Sequence, residues 1–165
     1  MKIRQIETND AEAMLSLNMK LDTESDFMLF EPSERDQSVE LQAGFIKRAL
    51  SQNNIIWLVA EAGDGALQGY CVISGKTQRR VKHVGNLVIG VARQYWSQGV
   101  GFSLLSAIIE QSQELGFTRL ELSVRSDNQR AIALYKKVGF VEEGERKSSL
   151  NIAGKYFNEL YMAKV

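Results

Sequence analysis

RQYWSQGVGFSLL, residues 93–105, joins an apolar segment to an amphipathic one. The segment before it, residues 83–92 (HVGNLVIGVA), is apolar at both alternating positions, which is typical of a strand buried on two faces. From Gly99 onward, apolar residues recur at steps of three and four as far as Leu115, and Gly116 stands where a helix would end. The sequence therefore predicts a central strand, a turn and a helix.

The turn between this strand and helix reads SQGVG at residues 97–101. Its two glycines, Gly99 and Gly101, allow a ligand to approach the backbone closely. The first N–H groups of a helix have no partner within it, and the helix dipole adds partial positive charge at the same end. The turn therefore predicts a phosphate or pyrophosphate site, although a G-x-G alone is equally compatible with a plain tight turn.

A second motif occupies residues 128–140, NQRAIALYKKVGF. Asn128 can cap a helix whose apolar stripe includes Leu134 and Tyr135. Q-G-x-G followed by N-x-x-A-x-x-L-Y-x-K-x-G-F, in this order and at this separation, resembles the Gcn5-related N-acetyltransferase (GNAT) superfamily. The resemblance extends over the chain from residue 1 to 165. It implies an α/β fold in a single domain, with a mixed central sheet of about six or seven strands flanked by about four helices.

The other segments alternate between strand and helix patterns, as that fold requires. A short strand at 2–7 and a helix at 8–21 precede a connector at 22–37. A second helix is expected to begin near Ser38, with an inward face made of Val39, Phe45, Ile46, Ala49 and Leu50. The later predicted elements are strands at 55–61, 68–74, 119–124, 140–145 and 156–163, and the helix at 128–138.

Composition narrows the range of partners and compartments. Twenty basic and twenty acidic residues give zero net charge, which argues against nucleic acid or an anionic membrane as partner. No signal-peptide pattern or long apolar run is present, so a cytoplasmic protein is expected. Cys71, in an apolar segment, is expected to be a buried and inert thiol. One cysteine and one histidine make a Cys/His metal site improbable, and no metal is expected.

The resemblance implies acetyl-CoA as the co-substrate. In the GNAT pattern its pyrophosphate lies on the backbone amides of a Q/R-x-x-G-x-G/A turn, here residues 96–101, and its pantetheine arm pairs with the preceding strand at 89–91. Trp96 departs from this pattern, because Arg or Gln is usual there, so a side-chain contact is lost while the amides remain. The expected cofactor-binding residues are Ile89, Gly90, Val91, Trp96, Ser97, Gln98, Gly99, Val100, Gly101, Asn128 and Tyr135.

Direct transfer of an acetyl group to a primary amine, in a ternary complex, needs a neutral amine and a protonated leaving thiolate. By the same resemblance, Tyr135 is expected to protonate the sulfur of CoA. The base is less defined, because Gly85, Asn86 and Leu87 stand where many GNAT enzymes carry a glutamate. His83, which titrates near neutrality when unperturbed, is the candidate base, and Glu31 and Glu34 are further candidates if the segment at 22–37 lines the acceptor site. A water relay to solvent is equally allowed.

The connector at residues 22–37 combines aromatic and acidic side chains and is longer than usual, which is typical of a functional loop. Phe27, Glu31 and Glu34 are therefore expected to bind the acceptor. Such a site would suit a small cationic amine or a peptide or protein N-terminus. The sequence identifies neither the acceptor nor the oligomeric state, and a homodimer is left open.

Other classes use similar turns. A P-loop hydrolase would need Gly-Lys-Ser/Thr after the turn, and a Rossmann dehydrogenase would need G-x-G-x-x-G, so neither fits. The remaining alternative is a non-catalytic GNAT-like module that binds acetyl-CoA as a sensor or interaction domain. The missing strand glutamate favours that alternative, whereas Tyr135 favours an enzyme.

Overall fold

The computed structural model describes residues 1–165 and contains one seven-stranded mixed sheet. The strands are β1 (Lys2–Gln5), β2 (Ile55–Glu61), β3 (Leu67–Gly75), β4 (Val84–Val91), β5 (Arg119–Arg125), β6 (Val141–Ile152) and β7 (Lys155–Lys164). Their order across the sheet is β1-β2-β3-β4-β5-β7-β6. Only the neighbours β4 and β5 are parallel. The expected α/β class and mixed sheet are confirmed.

Four α-helices cover the sheet: α1 (Ala11–Glu24), α2 (Val39–Leu50), α3 (Val100–Glu114) and α4 (Gln129–Lys137). The buried residues of α3 and α4 share one apolar cluster with the sheet, and those of α1 and α2 share the other. None of these helices has the length and apolar character needed to cross a membrane. The helix that follows the glycine turn begins at Val100 and ends near Gly116, as the apolar spacing predicts.

Alternation along β3 builds both clusters. Cys71 and Ile73 are fully buried among the residues of α3, whereas Tyr70 joins the cluster of α1 on the opposite face. Successive side chains of a strand point to opposite faces, so a central strand covered by helices on both sides is apolar at nearly every position. Burial raises the pKa of the Cys71 thiol, in keeping with an inert structural role.

The last hairpin differs from the expectation. β6 continues to Ile152, well past the predicted end at residue 145, and irregular pairing interrupts its register with β7 twice. β6 is an edge strand, and most of its side chains are exposed on both faces. Without a buried face it has no apolar alternation, which is the signal that marks a strand in a sequence. Its tight turn uses Ala153 and Gly154, with φ of 50° and 82°.

The start of α2 is as expected, and its inward face is confirmed in part, because Ile46 and Ala49 are buried. The Ser38 hydroxyl accepts a hydrogen bond of 3.1 Å from the Leu41 amide and caps the helix. Phe45 is 48% exposed and Leu50 39%, while Gln42 is buried. Phe45 borders a cavity described below, which explains an aromatic residue outside the core.

Candidate active site

β4 and β5 separate along their length. Residues 84–86 pair with residues 119–121, and no pairing follows beyond that point. β4 remains paired with β3 on its other side as far as Val91, and β5 remains paired with β7. The second half of β4 therefore has one edge without a strand partner, at the centre of the sheet.

The backbone groups of β4 that face this gap follow from strand alternation. The Ala92 amide donates to the Gln68 carbonyl at 3.0 Å, so Ala92 points towards β3. Alternate residues of a strand direct their N–H and C=O groups to opposite sides. The N–H and C=O groups of Ile89 and Val91 therefore point into the gap. The Val91 carbonyl accepts a hydrogen bond of 2.7 Å from the Trp96 indole. The peptide groups of Ile89 are therefore the open part of this edge.

The glycine turn follows directly after this edge. Ser97 and Gly99 have φ of 60° and 83°, a left-handed geometry that only glycine adopts without strain. No side chain caps α3 at Gly99, whereas the Asn128 side chain caps α4 by accepting from the Ala131 amide at 3.2 Å. The first amides of α3 are therefore free for an anion, and the dipole of a fifteen-residue helix supports it.

Gly101 of α3 lies against Leu134 of α4. A β-carbon at this position would lie 2.9 Å from Leu134 Cδ2, closer than real contacts of this kind. Gly101 and Leu134 both line the cavity between the separated strands. The glycine therefore serves helix packing in addition to backbone access.

Two cations from α4 reach the same turn. The Arg130 guanidinium lies 4.3 Å from the centroid of a Trp96 ring, and the Lys137 ammonium lies 4.7 Å from that of Phe102. Arg130 and Lys137 line the cavity. Arg130 thus brings positive charge to the turn where Trp96 replaces the usual Arg or Gln. Arg130 is not among the site residues predicted from the sequence, although it stands in the second motif, two residues after Asn128.

Tyr135 lies on the inner face of α4, 7% exposed, and lines the cavity. Its ring centroid is 5.9 Å from that of Phe140, which fixes the ring from one side. Burial raises the pKa of the Tyr135 phenol above its usual range, and the nearby Cys71 and Tyr70 raise it further. The hydroxyl is therefore protonated at neutral pH and can act as a proton donor.

The cavity is continuous and has a volume of about 1000 Å³. One half follows the open edge of β4, the glycine turn and α4. The other half lies on the α1 and α2 face, under the segment that connects these helices (residues 25–38). Its walls are mostly apolar and include Phe27, Met28, Phe45, Trp57 and Val88. The first half of the cavity suits a long anionic ligand, and the second half suits a smaller ligand with an apolar part.

Two arginines hold the connecting segment in place, one against the sheet and one against α1. Arg125 donates from Nη1 to the Asp26 carbonyl at 2.9 Å, and its Cζ lies 4.6 Å from the centroid of the Phe27 ring. Arg35 pairs with the buried carboxylate of Asp22, Nε to Oδ2 at 2.6 Å. The segment is therefore anchored at both ends and forms a fixed wall of the cavity.

The residues expected to bind the acceptor or to act as the base do not all lie at the cavity. Phe27 lines the cavity, but Glu31 and Glu34 do not: both are exposed, and the Glu34 carboxylate accepts from the Glu31 amide at 2.8 Å. His83 precedes the first residue of β4, about 26 Å from the turn at about 3.3 Å per residue, and is exposed. The carboxylate that does line the cavity is Glu159 on β7, which the sequence analysis did not identify.

Comparison with known proteins agrees with this geometry. The model of the acetyltransferase (GNAT) family matches residues 18–140. The L-amino acid N-acetyltransferase AaaT of Escherichia coli is 32% identical over 99% of this chain and 96% of its own. The N-alpha-acetyltransferase RimI of Mycobacterium tuberculosis is 34% identical over 68% of each chain.

Among solved structures, the GNAT-family acetyltransferase of Streptococcus pneumoniae superimposes with a TM-score of 0.94 at 33% identity. The match covers 99% of this chain and 98% of that one. The resemblance drawn from the two motifs is therefore confirmed, and so is the enzyme class that it implied. The chain belongs to the GNAT family and is an acetyl-CoA-dependent N-acetyltransferase.

Proposed function

We propose that this enzyme transfers the acetyl group of acetyl-CoA directly, in a ternary complex, to the α-amine of a free L-amino acid with an apolar side chain. The observation that carries the proposal is the continuous cavity. It joins the open edge of β4 and the glycine turn to an apolar chamber that contains Arg125 and Glu159.

On this proposal, the free amides at the start of α3 hold the pyrophosphate and the Ile89 peptide groups hold the pantetheine arm. Asn128 and Trp96 border the same half of the cavity. Tyr135 faces the point where this half meets the chamber, and its phenol donates a proton to the departing sulfur. Bound acetyl-CoA supplies the activated acetyl group, and these residues orient it.

The chamber argues for the acceptor class. Its apolar walls suit a hydrophobic side chain. Three N–H groups of Arg125 donate to Asp26 and Asp127, and a guanidinium has five, so two remain for a carboxylate. A free amino acid has that carboxylate beside its amine, whereas the N-terminus of a protein does not. The similarity to an L-amino acid N-acetyltransferase over almost the full chain supports this choice.

A series of acceptors tests the carboxylate. With saturating acetyl-CoA, L-phenylalanine should have a kcat/KM about ten- to a hundredfold above that of 2-phenylethylamine, since a hydrogen bond to a charged group contributes about 1.5–3 kcal/mol. Thiol release gives the rate. Glycine is the matched control for the apolar wall, because it has no apolar side chain to contact that wall. Its kcat/KM should also be low.

Equal kcat/KM for L-phenylalanine, its amide and 2-phenylethylamine would show that no carboxylate is recognised. Preference for peptides over free amino acids would instead assign a protein N-terminus as the acceptor.

The cation at the turn gives a second prediction. Arg130→Ala should weaken acetyl-CoA binding by roughly tenfold, because a charge-assisted contact to phosphate is lost. Calorimetric titration measures the effect, which should shrink at high salt. Lys136→Ala is the matched control, since Lys136 is on the same helix, pairs with Glu142 and lies outside the cavity. If the two variants bound acetyl-CoA with equal affinity, Arg130 would not be part of the cofactor site.

A further inference from the structure

Glu159 is the one carboxylate among the residues that line the cavity. β4, the strand on which the GNAT pattern places a glutamate, has Gly85, Asn86 and Leu87 at those positions, and none of these side chains accepts a proton. Neither His83 nor the acidic residues of the connecting segment reach the chamber. A group that can take a proton from an amine is therefore found on β7 and not on β4.

The register of three strands fixes where Glu159 lies. It is directly opposite Arg125 of β5 on one side and Arg146 of β6 on the other. Residues directly opposite in antiparallel strands point to the same face, so all three side chains share one face. Phe157, two residues before Glu159, shares this face and lies with its ring centroid 3.8 Å from Arg125 Cζ. This is the face that the connecting segment covers.

The parallel register of β4 and β5 shows how far along the gap between these strands Glu159 lies. Asn86 pairs with Glu121, so Gly90 would be level with Arg125 if the pairing continued. Glu159, opposite Arg125, is therefore level with the open edge of β4 where the pantetheine arm is proposed to lie. Its side chain lies on the chamber face of the sheet, one strand beyond β5 from the gap.

One cation of this face pairs with Glu159. Arg146 Nη1 lies 3.3 Å from one oxygen, and the Glu159 side chain is only 14% exposed. Arg125 pairs with Asp127 and Arg35 of the connecting segment with Asp22, and neither forms an ion pair with Glu159. Arg146 thus pairs with one oxygen of Glu159, and the second oxygen is left for a ligand cation.

We infer that Glu159 binds the ammonium group of the acceptor and accepts its proton. The inference rests on the proposed function, because it requires an amine acceptor in the chamber. The ammonium gives one proton to Glu159 and becomes the nucleophile. The C–N bond then forms and the C–S bond breaks, while Tyr135 protonates the sulfur. The second proton of the nitrogen restores the phenol through solvent, and Glu159 releases its proton to solvent.

The test compares Glu159→Gln with Glu159→Asp. Glutamine keeps the size but cannot accept the proton, and kcat/KM for the amino acid should fall about a hundred- to a thousandfold at neutral pH. The deficit should shrink above the pKa of the acceptor's amino group, where the amine is already neutral. Aspartate keeps the charge beside Arg146 and should retain part of the activity.

The thermal shift with acetyl-CoA should be unchanged in both variants, which shows that the fold and the cofactor site are intact. Glu145→Gln, an exposed carboxylate of β6 outside the cavity, is the matched control and should behave as wild type.

The outcomes separate the two proposals. If the wild-type enzyme acetylates no amino acid, the proposed function is wrong. If it does and Glu159→Gln matches it, the assignment of Glu159 is overturned. A deficit that stays constant as the pH rises would overturn the proton-accepting role.

Discussion

Gly101→Asp should abolish the thermal stabilisation that acetyl-CoA gives the wild-type enzyme. The substitution places a carboxylate next to the amides where the pyrophosphate is proposed to bind, and the two like charges repel each other. A ligand at one hundred times its Kd stabilises a fold by about 2.7 kcal/mol, and this is the amount that should disappear. Melting curves with and without acetyl-CoA measure it.

Gly101→Ala is the control for helix packing. Its β-carbon would meet Leu134 Cδ2 at 2.9 Å, but the end of this flexible side chain can shift and alanine favours a helix, so the unliganded protein should melt near the wild-type temperature. It carries no charge and should keep a measurable shift with acetyl-CoA. If the Asp variant showed the full wild-type shift, the pyrophosphate would have to bind elsewhere.

Tyr135→Phe should lower turnover by roughly ten- to a thousandfold, the range expected for the loss of one general acid. The substitution removes only a hydroxyl, so the ring contact with Phe140 and the affinity for acetyl-CoA should remain. Because burial raises the pKa of this phenol, wild-type turnover should not fall from tyrosine ionisation as the pH approaches the usual range of the group. Steady-state rates over a pH series give both results.

Tyr70→Phe offers a comparison, since burial raises the pKa of Tyr70 to about 12 and its ring lines the same cavity from β3. Turnover of this variant should stay near wild type. Unchanged turnover of Tyr135→Phe would leave Tyr135 as a packing residue only.

Features that depend on neighbours along the chain could be predicted from the sequence alone. The glycine turn, the cap at Asn128 and the buried stripe with Tyr135 are local patterns, since a helix or strand places residues a few positions apart at fixed angles. The two motifs together also identified the family and hence the fold. Cys71 as a buried thiol followed from its apolar strand in the same way.

Which charged residues line the cavity depends on contacts between distant parts of the chain. Arg125 contacts the Asp26 carbonyl across 99 residues of chain, and Glu159 faces Arg125 only through the pairing of β5 with β7. Glu31 and Glu34, acidic and in the right segment, turn to each other and to solvent instead. Local spacing sets the face on which a side chain lies, but strand register and loop anchoring set what lies opposite, because those contacts join residues that are distant along the chain.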